Sequence, residues 1–213
     1  LTDLFVPVLE EHGIKVVECP ACALTAGAQF AGKGVDFKNH IVTKEYVHDV
    51  VAFVKERASF VKDIWLNASC LFVSPLEYEE YGVKSGAAAE AAKPADPRRA
   101  ADPRAKVYDD TLTAPFLAKD ADKFWKPEGY QPAYQVTEHV CGFDGAFTKE
   151  NIEPYLEDYI REQGWPMGKV MNCIRLAITG AASGLGIADI LSFIGKDEFK
   201  ARMAYAGERL GRE

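Results

Sequence analysis

Apolar positions follow helical spacing over most of the chain. Leu4, Phe5, Val8 and Leu9 recur at three- and four-residue intervals. This predicts an opening helix capped by Thr2 and stopped by Gly13. The clearest stripe is Val47, Val50, Val51, Val54, Ala58, Val61 and Trp65. It predicts one helix over 43–65 with Thr43 as N-cap. Phe147 and Thr148 read as a staple and N-cap ahead of Ile152, Tyr155, Leu156, Tyr159 and Ile160, with Gly164 as the stop. Pro154 is compatible only with the first turns of such a helix. Three helical segments follow, GKVMNCIRLAITG, ASGLGIADILSFIG and KDEFKARMAYAGERL, each closed by glycine. Their stripes are Val170, Ile174 and Ile178, then Ile187, Ile190, Leu191 and Ile194, then Phe199 and Met203. Strand character is confined to short runs such as 14–17. The pattern predicts an all-α fold.

That pattern lapses between 76 and 110. The stretch SGAAAEAAKPADPRRAADPRAK is poor in large apolar residues and holds a near-repeat, ADPRRA and ADPRAK. Such a segment buries too little surface to offset its ordering entropy, so it reads as a mobile insertion. The expected organisation is a first helical subdomain over 1–75, the insertion over 76–110, and a second helical subdomain over 111–213. A chain of 213 residues is ample for a buried core. No apolar run approaches the roughly 20 residues of a membrane span. The opening LTDLFVPVLEEHG has neither a basic region nor a cleavage site, so no signal peptide is expected. Without an initiator Met, the chain is expected to be a fragment or processed piece. Cys19, Cys22, Cys70, Cys141 and Cys173 form an odd set at irregular spacing. That favours a reducing, cytoplasmic compartment over a disulfide scaffold.

The net charge of −7 counts against a nucleic-acid partner, but it is unevenly placed. Residues 161–213 hold eight Lys or Arg against six Asp or Glu, a net of +2, and residues 1–160 hold 17 against 26, a net of −9. Only the last quarter reads as a phosphate-facing surface.

Several local motifs fall short of a site. GAQFAGKG at 27–34 nearly matches a phosphate-binding loop, but Gly34 stands where a magnesium-holding Ser or Thr hydroxyl belongs. CPAC at 19–22 has metal-ligand spacing without a second pair, and His12, His40, His48 and His139 are scattered, so the cysteines read as packing residues. AITGAASGLG at 177–186 mimics the cofactor turn of short-chain dehydrogenases. The 27 residues that follow are too few for another βαβ unit of a dinucleotide-binding sheet. No GxSxG, recognised Cys–His pattern or clustered carboxylate pair points to catalysis.

The terminal segments resemble the C-terminal anticodon-binding region of bacterial glutamyl-tRNA synthetases. The carrying motifs are Arg175-Leu176-Ala177-Ile178-Thr179-Gly180, Ser183-Gly184-Leu185-Gly186, Ile194-Gly195-Lys196-Asp197-Glu198 and then Arg202. Phe147-Thr148-x-x-Asn151, Gly164 and Gly168-Lys169-Val170-Met171 precede them in the family's order. Upstream, Lys55-Glu56-Arg57-Ala58-x-x-x-Lys62-Asp63 is similar to a helix of the same family. The matches cover 43–65 and 147–202. Leu185 departs from the usual proline of the turn, and the segment from 76 to about 114 looks like an insertion.

The resemblance implies an anticodon-binding module whose partners are the anticodon loop of tRNA-Glu and the catalytic domain of the same parent chain, with no membrane or DNA role. The family's HIGH-like and KMSKS-like signatures are absent from these residues, so ATP and magnesium are implied for a catalytic domain elsewhere. No catalytic residue, metal or cofactor is expected in this chain. Arg57 aligns with the arginine that reads the last anticodon base, and a guanidinium suits the O2 and N3 acceptors of cytosine. Asn172 and Arg175 align with polar residues facing the anticodon loop. Gly184, Leu185, Gly186 and Ile187 align with the turn that meets its bases. The competing expectations are a dinucleotide-binding oxidoreductase fragment and a helical protein-interaction module.

Overall fold

A computed structural model describes residues 1–18, 34–77 and 116–211. The CPAC pair, nearly all of the glycine-rich loop and the body of the expected insertion lie outside these residues. Among the described residues the elements are α1 (Thr2–Glu11), β1 (Lys15–Val17), β2 (Val35–Asp36), β3 (Ile41–Thr43), α2 (Lys44–Val54) and α3 (Val61–Ala68). They continue with α4 (Ala118–Phe124), α5 (Pro127–Cys141), α6 (Lys149–Glu162), α7 (Met167–Thr179) and α8 (Ile187–Leu210). The chain is mostly α. A small three-stranded sheet is the addition, with β3 central, parallel to β1 and antiparallel to β2. Two- and three-residue strands are too short to show alternation, so periodicity alone could not find β2 or β3.

Local chemistry sets the helix ends. Thr43 is the N-cap of α2, its hydroxyl accepting from the Tyr46 amide at 3.2 Å. Thr2, by contrast, lies inside α1, and Leu1 occupies the cap without a side-chain hydrogen bond. Pro154 is the sixth residue of α6, within its first two turns, and the helix runs on and buries Ile152, Leu156 and Ile160. The expected single helix over 43–65 is two. After Val54 the chain tightens into a 3₁₀ turn (Lys55–Arg57), and Ala58 and Phe60 are extended. The Asp63 carboxylate accepts from the Ser59 and Phe60 amides, at 3.0 and 2.8 Å, and thereby starts a new helix. The apolar stripe runs across the break because both helices face one core: Val50, Val51 and Val54 from α2, Ile64 and Trp65 from α3.

Glycine ends two later segments for a steric reason. Gly180 takes φ +82°, closing α7, and Gly195 takes φ +80° and ψ 177°, interrupting α8 between its two amphipathic stretches. The conformation at Gly180 is one an L side chain resists, so Gly180→Ala is expected to cost about 1–2 kcal/mol. Chemical denaturation of both proteins, followed by circular dichroism, measures this.

One core joins the described residues on either side of 78–115. Tyr46 of α2 meets Phe193 of α8 edge-on at 5.8 Å, and its hydroxyl donates to the Leu71 carbonyl at 2.6 Å. The strongest tie is Arg202, whose side chain is completely buried. Its guanidinium donates to Glu198 at 2.6 Å, to the Cys70 carbonyl at 2.8 Å and to the Ile178 carbonyl at 2.7 Å. It also lies 5.0 Å from the Phe37 ring centroid.

Candidate nucleic-acid interface

Arg175, Asn172 and the turn after α7 form one cluster. Arg175 leaves the polar side of a helix whose other face is fully buried through Ile174 and Ala177. Its Nε donates to the Leu185 carbonyl and its Nη1 to the Ala182 carbonyl, both at 3.3 Å, with Asn172 Oδ1 at 3.4 Å. Partial burial pulls its pKa below the usual arginine value, though the group stays charged. The guanidinium therefore latches the turn as well as facing solvent. Thr179 tightens the same turn, donating to the Arg175 carbonyl while accepting from the Ala181 amide. From outside, Asp120 of α4 accepts from the Ala182 amide at 2.7 Å, and Gly180 accepts from the Leu117 amide at 2.7 Å.

What this turn presents is backbone. Ser183 and Gly184 are exposed, and Gly184 has φ +132°, a conformation suited to glycine. Leu185 and Ile187 point the other way and are 4% and 2% exposed. Their side chains anchor the turn in the core and are not offered to the surface. Gly186 precedes α8 directly, and a Cβ there would meet the Asp189 carboxylate at 2.4 Å. Asp189 is itself held by Lys149 at 3.0 Å.

Arg57 stands apart from that cluster, on the 3₁₀ turn between α2 and α3. It is exposed, and among the described residues no acceptor or acid engages it. Asp63, the acid six residues further on, caps α3. The break thus places Arg57 on an irregular connection and not on a helix flank.

The basic balance of the last quarter does not make a broad cationic face. Arg161 pairs with Asp158, Lys169 with Glu128 at 3.0 Å and Lys200 with Glu138 at 2.9 Å, while Arg202 is inside the protein. A count along the chain cannot see acids brought in from α5. Sequence reasoning also missed the structural role of Arg202, although a signal existed. Arg202 shares helical spacing with Phe199, Met203 and Ala206, all buried. A cation on an apolar stripe requires buried acceptors.

The dehydrogenase-like motif loses its context here. Ile174–Ile178 lies in a helix, so 177–186 joins helix to helix, whereas a dinucleotide fingerprint joins strand to helix. Among the described residues no group of three or more His, Cys, Asp or Glu is placed to hold a metal ion. No described helix is long and apolar enough to cross a membrane. Burial raises the Cys70 thiol to about 11 and pushes Cys173 up further still, which makes both packing groups and not nucleophiles.

Comparison with known proteins adds to this geometry. Residues 101–207 match the model of a family described as an anticodon binding domain. Glutamate–tRNA ligases of Bacteroides fragilis and Bacteroides thetaiotaomicron are 30% and 29% identical over 210 residues, which is 99% of this chain in each case. The chain spans 29% of the length of each. Among solved structures, a glutamate tRNA ligase from Elizabethkingia meningosepticum in complex with its amino acid superposes with a TM-score of 0.57 at 22% identity. That superposition covers 98% of this chain and 29% of the other, and establishes a shared fold.

Proposed function

This chain belongs to the anticodon binding domain family, and from that premise we propose that it is the tRNA-recognising part of a glutamate–tRNA ligase. Its partner is the anticodon loop of tRNA-Glu. The observation that carries this reading is the alignment of 99% of the chain, on both sides of the long central segment, with glutamate–tRNA ligases. ATP, magnesium and aminoacyl transfer belong to the remainder of the parent protein, and this part selects the tRNA without catalysing the transfer.

The division of labour follows from the side chains. Arg57 reads the last anticodon base, because an exposed guanidinium with no acceptor among the described residues keeps its donors for a ligand. Arg175 and Asn172 hold the shape of the turn and offer remaining polar capacity toward the loop. Ser183 and Gly184 bring exposed main chain within reach of splayed bases, as single-stranded RNA recognition needs.

A titration of the 213-residue chain with a tRNA-Glu transcript at several salt concentrations tests this. The affinity should fall linearly on a log–log plot, with a slope of about −0.7 to −0.9 per neutralised phosphate. Absence of binding, or affinity indifferent to salt, would sink the proposal.

A further inference from the structure

We infer that Phe60 is a stacking platform for the anticodon base that Arg57 reads, an inference that rests on the tRNA-binding role proposed above. Phe60 is 70% exposed, and among the described residues it is the one Phe, Tyr or Trp on the open surface. Other rings find partners: Phe5 and Tyr46 pack on Phe72, Phe53 packs on Phe193, and His139 stacks on Tyr155 and Tyr159. The inner face of α3 is already complete, with Ile64, Trp65 and Ala68 buried, so the fold has no use for Phe60 as a core residue.

Its position is nevertheless held. The Phe60 backbone is extended, and its amide donates to the Asp63 carboxylate at 2.8 Å. The neighbouring Ser59 amide donates to the same oxygen at 3.0 Å. The ring therefore projects from a fixed backbone, which lowers the entropy lost when a base stacks upon it. Arg57 lies three residues earlier, so the two Cα atoms are at most about 10 Å apart even in a fully extended chain. Lys55 and Lys62 flank the pair and are exposed. Exposed cations beside an open aromatic ring match the way single-stranded RNA is held, with phosphates neutralised and a base face covered. Protein recognition is a poorer fit to this patch, since a single ring among the exposed Lys55, Glu56, Arg57 and Lys62 offers little apolar area.

The roles are complementary. Guanidinium donors distinguish base edges, whereas a phenyl ring covers a base face without regard to sequence. Loss of the ring should therefore weaken binding to all tRNAs alike, whereas loss of Arg57 should erode discrimination.

The test uses a tRNA-Glu transcript carrying the fluorescent base pyrrolo-cytosine at the last anticodon position, titrated with wild type, Phe60→Leu, Phe60→Trp and Arg57→Gln. Wild type should change the emission as the base stacks. Phe60→Leu keeps an apolar side chain without a π face and should bind about tenfold more weakly, with the emission change lost. Phe60→Trp should restore both. An unaltered affinity and emission change in Phe60→Leu would overturn the inference while leaving the tRNA-binding role intact, provided that Arg57→Gln is impaired. If wild type binds no transcript, the underlying reading fails and takes this one with it. Because Phe60 is exposed and the hydrogen bond from its backbone amide to Asp63 does not involve the side chain, the circular dichroism of all four proteins should match.

Discussion

Replacing Arg202 with methionine is expected to destabilise the chain by about 3–5 kcal/mol, the range for removing one member of a buried charged network. Methionine fills similar length without clash, so the loss isolates the guanidinium and its hydrogen bonds. The substitution leaves the Cys70, Val73 and Ile178 carbonyls without their donor, and strands the Glu198 carboxylate, whose side chain is only 13% exposed. Each abandoned acceptor carries its own desolvation cost, about 1–3 kcal/mol for a neutral group. The Cys70 carbonyl lies 132 positions from Arg202 in sequence. The variant should therefore loosen the packing of α8 against the segment around 70–73, and not merely fray one helix. Adding Glu198→Gln should recover the part of the loss that comes from a stranded charge, but not the part from the carbonyls. Urea denaturation followed by far-ultraviolet circular dichroism gives the three values. A single variant within about 1 kcal/mol of wild type would show that the network is dispensable.

Arg57→Gln is expected to cost about 1–3 kcal/mol of binding to tRNA-Glu while leaving folding unchanged. The last anticodon base of tRNA-Glu is cytosine, whose O2 and N3 accept a pair of hydrogen bonds from one guanidinium. Guanine stands there in tRNA-Gln and presents donors at the corresponding edge. Loss of the arginine should thus narrow the difference between the two tRNAs, whereas loss of a phosphate contact would weaken both equally. Folding should be untouched because Arg57 is exposed on a 3₁₀ turn and holds no described side chain in place. Paired titrations of the two proteins against both tRNAs, at one salt concentration, measure the change in discrimination. An equal loss for the two, or none for either, would remove Arg57 from the base-reading role.

Much of the C-terminal half was legible along the chain. Helices at Met167–Thr179 and across 187–210, and the glycine stop between the two stretches of the latter, follow from spacing that both packing and backbone sterics enforce. The first half was read less completely. A periodic stripe reports which residues face a core, not whether the backbone between them is unbroken, so the division at Ala58–Phe60 was invisible to it. The clue was Asp63, three residues after the extended Phe60, whose carboxylate reaches back to start a helix.

Spacing and glycine placement were enough to settle that the chain is mostly helical, where its last helices end, and which residues among Val170, Ile174, Ile190 and Leu191 are buried. These are local matters, governed by the helical repeat and by the φ values that a Cβ forbids. Partners distant in sequence were decided by the tertiary structure. Arg175 became the latch of a turn ten residues on, and Arg202 a buried tie to Cys70. Lys169 and Lys200 were neutralised by acids from α5, and Asp63 was committed to a helix cap, with no described acceptor on Arg57. A polar side chain's role depends on which acceptors lie within about 3 Å of it, and that distance is set by packing rather than by neighbours along the chain.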